Sequence, residues 1–212
     1  MHCADQQSKF IADAKRLVGN EKLANMNLAN VLFSELLHAG LKETLRIHGH
    51  NMAPRTLEED TVMKIQGKEY ILKKGSVAFA PSTLVNMNPE IYSNPDMWEV
   101  ERFLDNTINR SDDATKYDTK KLKIPLLIWG AGSHAVPSPE TYLTAQCPGR
   151  RFAANEMVMM MALILLCFEL APPEGQDKFS LPAAPVKSQY GMGVKGPAEP
   201  YRVRMRVRKE VS

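Results

Sequence analysis

Fourteen consecutive residues, Met157 to Leu170, read MVMMMALILLCFEL and carry a single charge, Glu169. Such a run resists exposure to water, yet it is too short for a bilayer, which takes about 20 apolar residues. It predicts a buried core helix over about Arg151 to Leu170, and the rest of the chain must supply its cover. Its methionines, Met157, Met159, Met160 and Met161, read as core packing. At 212 residues the chain is long enough to bury a helix of this kind in one domain or a little more.

The elements upstream follow from periodicity. Phe10, Ile11, Ala14, Leu17 and Val18 share one helical stripe, Leu28, Val31 and Leu32 a second, and Leu36, Leu37, Leu41 and Leu45 a third. Two or three helices are therefore expected in the first fifty residues. From Met52 to Pro81 short β-rich runs are broken by Gly67 and by KKGS, which predicts small antiparallel strands. Asn86 to Phe103 has two prolines, two tyrosine or tryptophan rings and no clean period, and reads as an ordered meander. The polar stretch NTINRSDDATKYDTKKLK that follows reads as a surface loop. Near the C-terminus, arginines alternate with Val203, Met205 and Val207, as in a strand with one buried face. The expected fold class is mainly α with small antiparallel β-sheets.

Charge excludes little. A net charge of +3 from 27 basic and 24 acidic residues is close to balanced, and no aromatic interleaves the C-terminal arginines, so no nucleic-acid partner is expected. The opening MHCADQQSKF lacks the apolar core of a secretory signal, and no membrane segment is expected in this chain.

Three cysteines, Cys3, Cys147 and Cys167, form no CxxC and no zinc spacing, which fits a reducing compartment. Cys147 stands in a Cys-Pro-Gly turn just before the apolar helix, whose first turn brings Arg150 and Arg151. Helix N-termini and nearby arginines favour thiolate over thiol. A buried structural cysteine is the competing reading, and Cys167, inside the apolar run, fits it well. The five histidines form no ligand pair. Glu43 and Arg46, three apart in KETLR, share a helical face, and taken alone they are an ordinary surface pair.

In order along the chain come KETLR, APR, MNPEIYSNPDMWEVERF, IWGAG and CPGRRFA. This succession resembles the C-terminal half of the cytochrome P450 family, the haem-thiolate monooxygenases, eukaryotic in type with a fungal origin among the options. The resemblance runs nearly from end to end and implies a partial P450 domain over residues 1–212. Its parts are helices to residue 50, a small β region 52–85, a meander 86–105, a haem-thiolate loop and helix 124–171, and a C-terminal β region 172–212. It implies haem b (iron protoporphyrin IX) with Cys147 as the axial ligand to iron and Gly149 permitting the tight turn beneath it. A thiolate ligand favours cleavage of the O–O bond and so suits insertion of one oxygen atom of O2 into an apolar substrate. Arg55 of APR stands where a family arginine reaches a haem propionate, and Trp129, Gly132 and His134 fall in the haem-binding signature, His134 at a basic propionate contact. Glu43, Arg46 and Arg102 of VERF, with Val100 in place of proline, would form a buried charge network under the haem. An NADPH-dependent reductase is the implied partner. Family members of this type sit on the endoplasmic reticulum through an N-terminal anchor, which leaves the localisation of this chain unknown.

The pattern departs from the family in four respects. Trp129 replaces phenylalanine, and Asn86 replaces a histidine often found before the meander. Val136 occupies the place of the cysteine, and Cys147 arrives eleven residues late; deleting Val136 to Gln146 would give an uninterrupted WGAGSHACPGRRFA. We read the segment as a translated intron or an insertion, since valine and glutamine codons can supply the two ends of an intron. Finally, only about forty residues precede KETLR, and nothing resembles the distal helix with its acid/alcohol pair for oxygen activation. No catalytic residue is assigned for that reason, and the chain by itself is expected to be catalytically incomplete. The rival readings are a truncated or degenerate remnant that binds haem weakly or not at all, and a thiol enzyme using Cys147 as nucleophile, for which no general base has a local motif. Sterol, fatty acid and xenobiotic all stay open as substrates.

Overall fold

The computed structural model describes residues 3–19, 25–104, 149–179 and 200–209. Its core is a layer of three helices: α1 (Cys3–Val18), α2 (Glu35–His48) and, taking the numbering past a short α3, α4 (Arg150–Cys167). Phe10, Ala14 and Val18, four apart along α1, meet Leu37 and Ala39 of α2 and Val158, Ala162 and Leu166 of α4. Burying a side chain of this class contributes roughly 1.5–3 kcal/mol, so these contacts dominate the stability of the layer.

Local chemistry sets the helix ends. Gly19 closes α1 with a φ of +78, and its N–H donates to the Lys15 carbonyl at 2.9 Å. Ser34 caps α2: its hydroxyl oxygen accepts from the Leu37 N–H at 2.9 Å and its O–H donates to Asp13 of α1 at 2.5 Å. One cap thus also joins two helices. Gly40 lets the helices approach, because a Cβ there would lie 2.8 Å from the Phe10 ring. The stripe Leu28, Val31 and Leu32 becomes a 3-10 helix, Leu28–Phe33, where an α-helix was expected. The connection from Phe33 to the capped start of α2 is a single residue, Ser34, so the segment tightens rather than extends.

The β region is two nested antiparallel pairs. β1 (Met52–Thr56) pairs with β4 (Val77–Pro81), and between them β2 (Thr61–Ile65) and β3 (Lys68–Leu72) form a hairpin. Gln66 and Gly67 both have positive φ, 50 and 78, as a two-residue hairpin turn of the primed type requires. Beside the hairpin, the Lys73 ammonium and the Lys74 N–H hold the exposed Asp60 carboxyl below its ordinary pKa. The five-residue α3 (Ser82–Asn86) then returns the chain to α2, with Asn51 N–H donating to Ser82 Oγ at 3.0 Å.

α4 ends earlier than its apolar run. Phe168 is extended and opens β5 (Phe168–Ala171), which pairs with β6 (Arg204–Val207); Glu169 faces Arg206 across the ladder and accepts from its guanidinium. Phe168 favours a strand, and pairing with β6 takes the place of continued helix. β6 corrects the expectation of a strand with one buried face: all four of its residues are exposed, and β5 is its one strand partner among the described residues. The polar stretch expected as a surface loop lies outside the described residues. No helix among those described is long and apolar enough to cross a membrane.

Candidate functional site

Helix α2 presents Glu43 and Arg46 one turn apart toward the segment after α3. The two groups form a two-pronged ion pair, Arg46 Nε donating to Glu43 Oε2 at 2.8 Å and Nη2 to Oε1 at 2.9 Å. Arg102 enters from a 3-10 turn, Val100–Phe103, and its Nε donates to Glu43 Oε1 at 3.2 Å. All three side chains are fully buried. One carboxylate thus meets two guanidinium groups, and a buried pair of cations needs further acceptors.

Backbone carbonyls supply them. Arg46 Nη1 donates to the Asn86 carbonyl at 2.8 Å and Nη2 to the Met97 carbonyl at 3.2 Å, while its guanidinium carbon lies 5.0 Å from the Tyr92 ring centroid. Arg102 Nη1 donates to Ser93 Oγ at 3.3 Å and Nη2 to the Asn94 carbonyl at 3.1 Å; Nη2 also reaches Glu99 Oε2 at 3.0 Å. Glu43 Oε1 accepts a third bond from the Glu99 N–H at 3.0 Å. The meander from 86 to 103 is in this way tied to α2 through Asn86, Tyr92, Met97, Glu99 and Arg102, and Trp98 Nε1 adds a bond to Thr44 Oγ1 at 3.1 Å. Sequence reasoning missed Asn86, Ser93, Asn94, Met97 and Glu99 as partners, and for the carbonyls no side-chain signal exists. Tyr92 had one, an aromatic in an otherwise polar PEIYSNP.

Among the described residues, two polar groups beside this network have no hydrogen-bond partner. Asn86 is fully buried, and both polar atoms of its amide are unbonded, although its carbonyl holds Arg46. His48, at the end of α2, has a buried Nδ1 without a partner, and desolvation lowers its pKa from the ordinary histidine value.

The remaining candidates separate into two groups. Arg55 is exposed on β1, opposite Ala78 of β4, and its Nη1 donates to the Pro54 carbonyl at 2.8 Å; it joins neither Glu43 nor Arg102. Gly149 is the N-cap residue of α4, with φ −79 and ψ 0, a conformation open to any residue, so glycine's freedom is not drawn on there. Gly149 has no side chain to cap the start of this 18-residue helix, and the helix N-terminus carries partial positive charge that favours an anion. Cys147, Trp129, Gly132, His134 and the segment Val136 to Gln146 lie outside the described residues. Cys167 is a half-buried free thiol at the end of α4. An open groove of about 240 Å³ is lined by Leu32, Phe33, Phe103 and Leu104 with the polar Ser34, Glu35, His38 and Lys42, of which His38 Nε2 is engaged with the Leu32 carbonyl at 3.1 Å.

Comparison with known proteins identifies the family. The Cytochrome P450 family model matches residues 1–189. A 5-beta-cholestane-3-alpha,7-alpha-diol 12-alpha-hydroxylase from Sus scrofa is 30% identical over 206 residues, covering 92% of this chain and 38% of the relative. Cytochrome P450 7A1 from Oryctolagus cuniculus is 28% identical over 85% of this chain and 36% of its own length. Prostacyclin synthase from Bos taurus is 29% identical over 82% of this chain and 32% of its own length. The chain thus spans about a third of the length of these relatives. They are mammalian and lend no support to a fungal origin.

Proposed function

The chain belongs to the cytochrome P450 family, and from that premise we propose that it is the haem-proximal part of a haem-thiolate monooxygenase acting on an apolar substrate. The observation that carries the reading is the buried Glu43–Arg46–Arg102 network, which sits in the order and spacing that the family resemblance requires. Haem b, when bound through a thiolate, supplies the O2 activation and oxygen insertion.

This chain's residues fit such a group in three respects. The start of α4 lacks a side-chain cap and stands two residues after Cys147, so its N–H groups and partial positive charge would hold the cysteine as thiolate. Arg55 is exposed, engages the Pro54 carbonyl through Nη1 and meets no carboxylate among the described residues, and its other guanidinium donors would reach a propionate. The Glu43 network would fix the meander as a rigid floor on the proximal side. Trp129, Gly132 and His134 complete the proposed cofactor set by family position. A NADPH-dependent reductase is the proposed electron donor and the endoplasmic reticulum membrane the proposed location. The names of the hydroxylase relatives make a steroid the first substrate class to assay.

The test is the reduced carbon monoxide complex of a protein carrying the whole fold, with Val136 to Gln146 deleted. A strongly red-shifted Soret band is expected. Cys147→Ser should lose it and Cys167→Ser should keep it; a Cys147→Ser protein that keeps the band overturns the ligand assignment. The non-catalytic alternative is favoured by the Val136 to Gln146 segment, which displaces the cysteine in sequence. Transcript sequencing addresses it directly: a spliced message that lacks the segment removes the ground for that alternative, and one that retains it removes the intron.

A further inference from the structure

We propose that the outer face of α2 is an interface between two copies of this chain, paired antiparallel about a two-fold axis beside His38.

The open groove runs along that face. Glu35, His38 and Lys42, spaced by three and four residues, line it from α2, while Phe33 of the preceding 3-10 helix and Phe103 of the turn Val100–Phe103 stand on its apolar walls. Phe33 is exposed by 78%. Lone apolar residues at a surface are ordinary, but a ring turned to water on the wall of an apolar groove extends a contiguous patch, and such patches mark sites of association.

The charges on this face select the partner. Glu35 and Lys42 are both exposed, and neither has an ion-pair partner among the described residues. Their helical neighbours cannot supply one, since no lysine or arginine stands three or four positions from Glu35 and no acid stands three or four from Lys42. Seven residues make about two helical turns, so the two charges share one face about 10.5 Å apart along the axis. Their midpoint falls between His38 and Ala39. A two-fold axis crossing α2 there sets Glu35 of each copy against Lys42 of the other, at both ends of the face. The same operation brings each Phe33 ring to the apolar walls of the partner's groove. A surface complementary to itself in this way is what an isologous dimer requires. A strongly acidic or strongly basic partner suits it less, because the face offers one charge of each sign.

The experiment measures the oligomeric state of the 212-residue chain by sedimentation and light scattering over a dilution series. A dimer is expected. Glu35→Lys would set cation against cation at both ends, and Lys42→Glu acid against acid; each should weaken the dimer at least about tenfold. Mixed one to one, the two variants should form a heterodimer about as tight as the parent dimer, because every cation again meets an acid. The double exchange Glu35→Lys, Lys42→Glu in one chain should restore the homodimer for the same reason. Phe33→Ser should weaken association, whereas Met63→Glu, an exposed residue on β2, should leave it unchanged. Circular dichroism of each variant should match the parent, since all the altered side chains are exposed. A chain that stays monomeric throughout overturns the proposal, and uptake of an apolar dye by that monomer would assign the groove to a small ligand instead. A dimer indifferent to the charge changes overturns it too, as does a double exchange that stays monomeric together with single variants that fail to pair when mixed.

Discussion

Arg102 Nε lies 3.2 Å from Glu43 Oε1 although 59 positions separate the two residues, and neither side chain reaches water. The contact joins the ends of a long excursion through four strands and the meander. Removing one member leaves a buried charge without compensation, which typically costs about 3–5 kcal/mol. Arg102→Ala and Glu43→Ala should each lower the urea midpoint by that order. Glu69→Gln, which breaks the exposed pair with Lys64, should not move it measurably. Equal small effects for all three would show that the network contributes nothing special.

Asn86 offers the opposite sign. Its carbonyl is needed by Arg46, but its amide group is buried and unbonded. An unsatisfied buried donor or acceptor costs about 1–3 kcal/mol, and an apolar group of similar shape removes that penalty. Asn86→Leu should therefore raise the urea midpoint. A loss of more than about 1 kcal/mol would indicate that the amide is hydrogen-bonded in solution.

Gly40→Ala sets two effects against each other. Alanine improves helix propensity by about 1 kcal/mol, but the new Cβ would stand 2.8 Å from Phe10 Cζ and 2.9 Å from Cε1, and overpacking costs about 1–3 kcal/mol. We expect a net loss in thermal stability that disappears when Phe10→Leu is also present. A loss of the same size in both backgrounds would place the strain elsewhere.

His48 makes stability depend on pH. Burial lowers its folded-state pKa, so the unfolded chain takes up the proton first as pH falls. Stability from this group is full above the ordinary histidine range and declines as pH drops through the unfolded value toward the lower folded one. Denaturation midpoints measured between about pH 7.5 and 5.5 should fall, and His48→Gln should flatten the fall. An unchanged slope in the variant would assign the dependence to another group.

Family, element types and the identity of the lock residues were legible in the sequence, because each depends on local order. KETLR puts Glu43 and Arg46 one helical turn apart, Gln66-Gly67 supports a hairpin, and the apolar run after Cys-Pro-Gly makes a helix wherever it lies. Tertiary structure alone decided what those residues meet. In the sequence, KETLR is compatible with a solvated surface pair; it is a buried lock because the carbonyls of Asn86, Asn94 and Met97 come to two guanidinium groups, and a carbonyl carries no mark of residue type. The same limit explains the ends of the reading. Phe168 leaves the helix to pair with β6, where Arg206 stands opposite Glu169, and β6 has β5 as its one strand partner among the described residues, both being matters of which distant segment is present. Periodicity describes one chain segment in isolation, whereas burial depends on what packs against it.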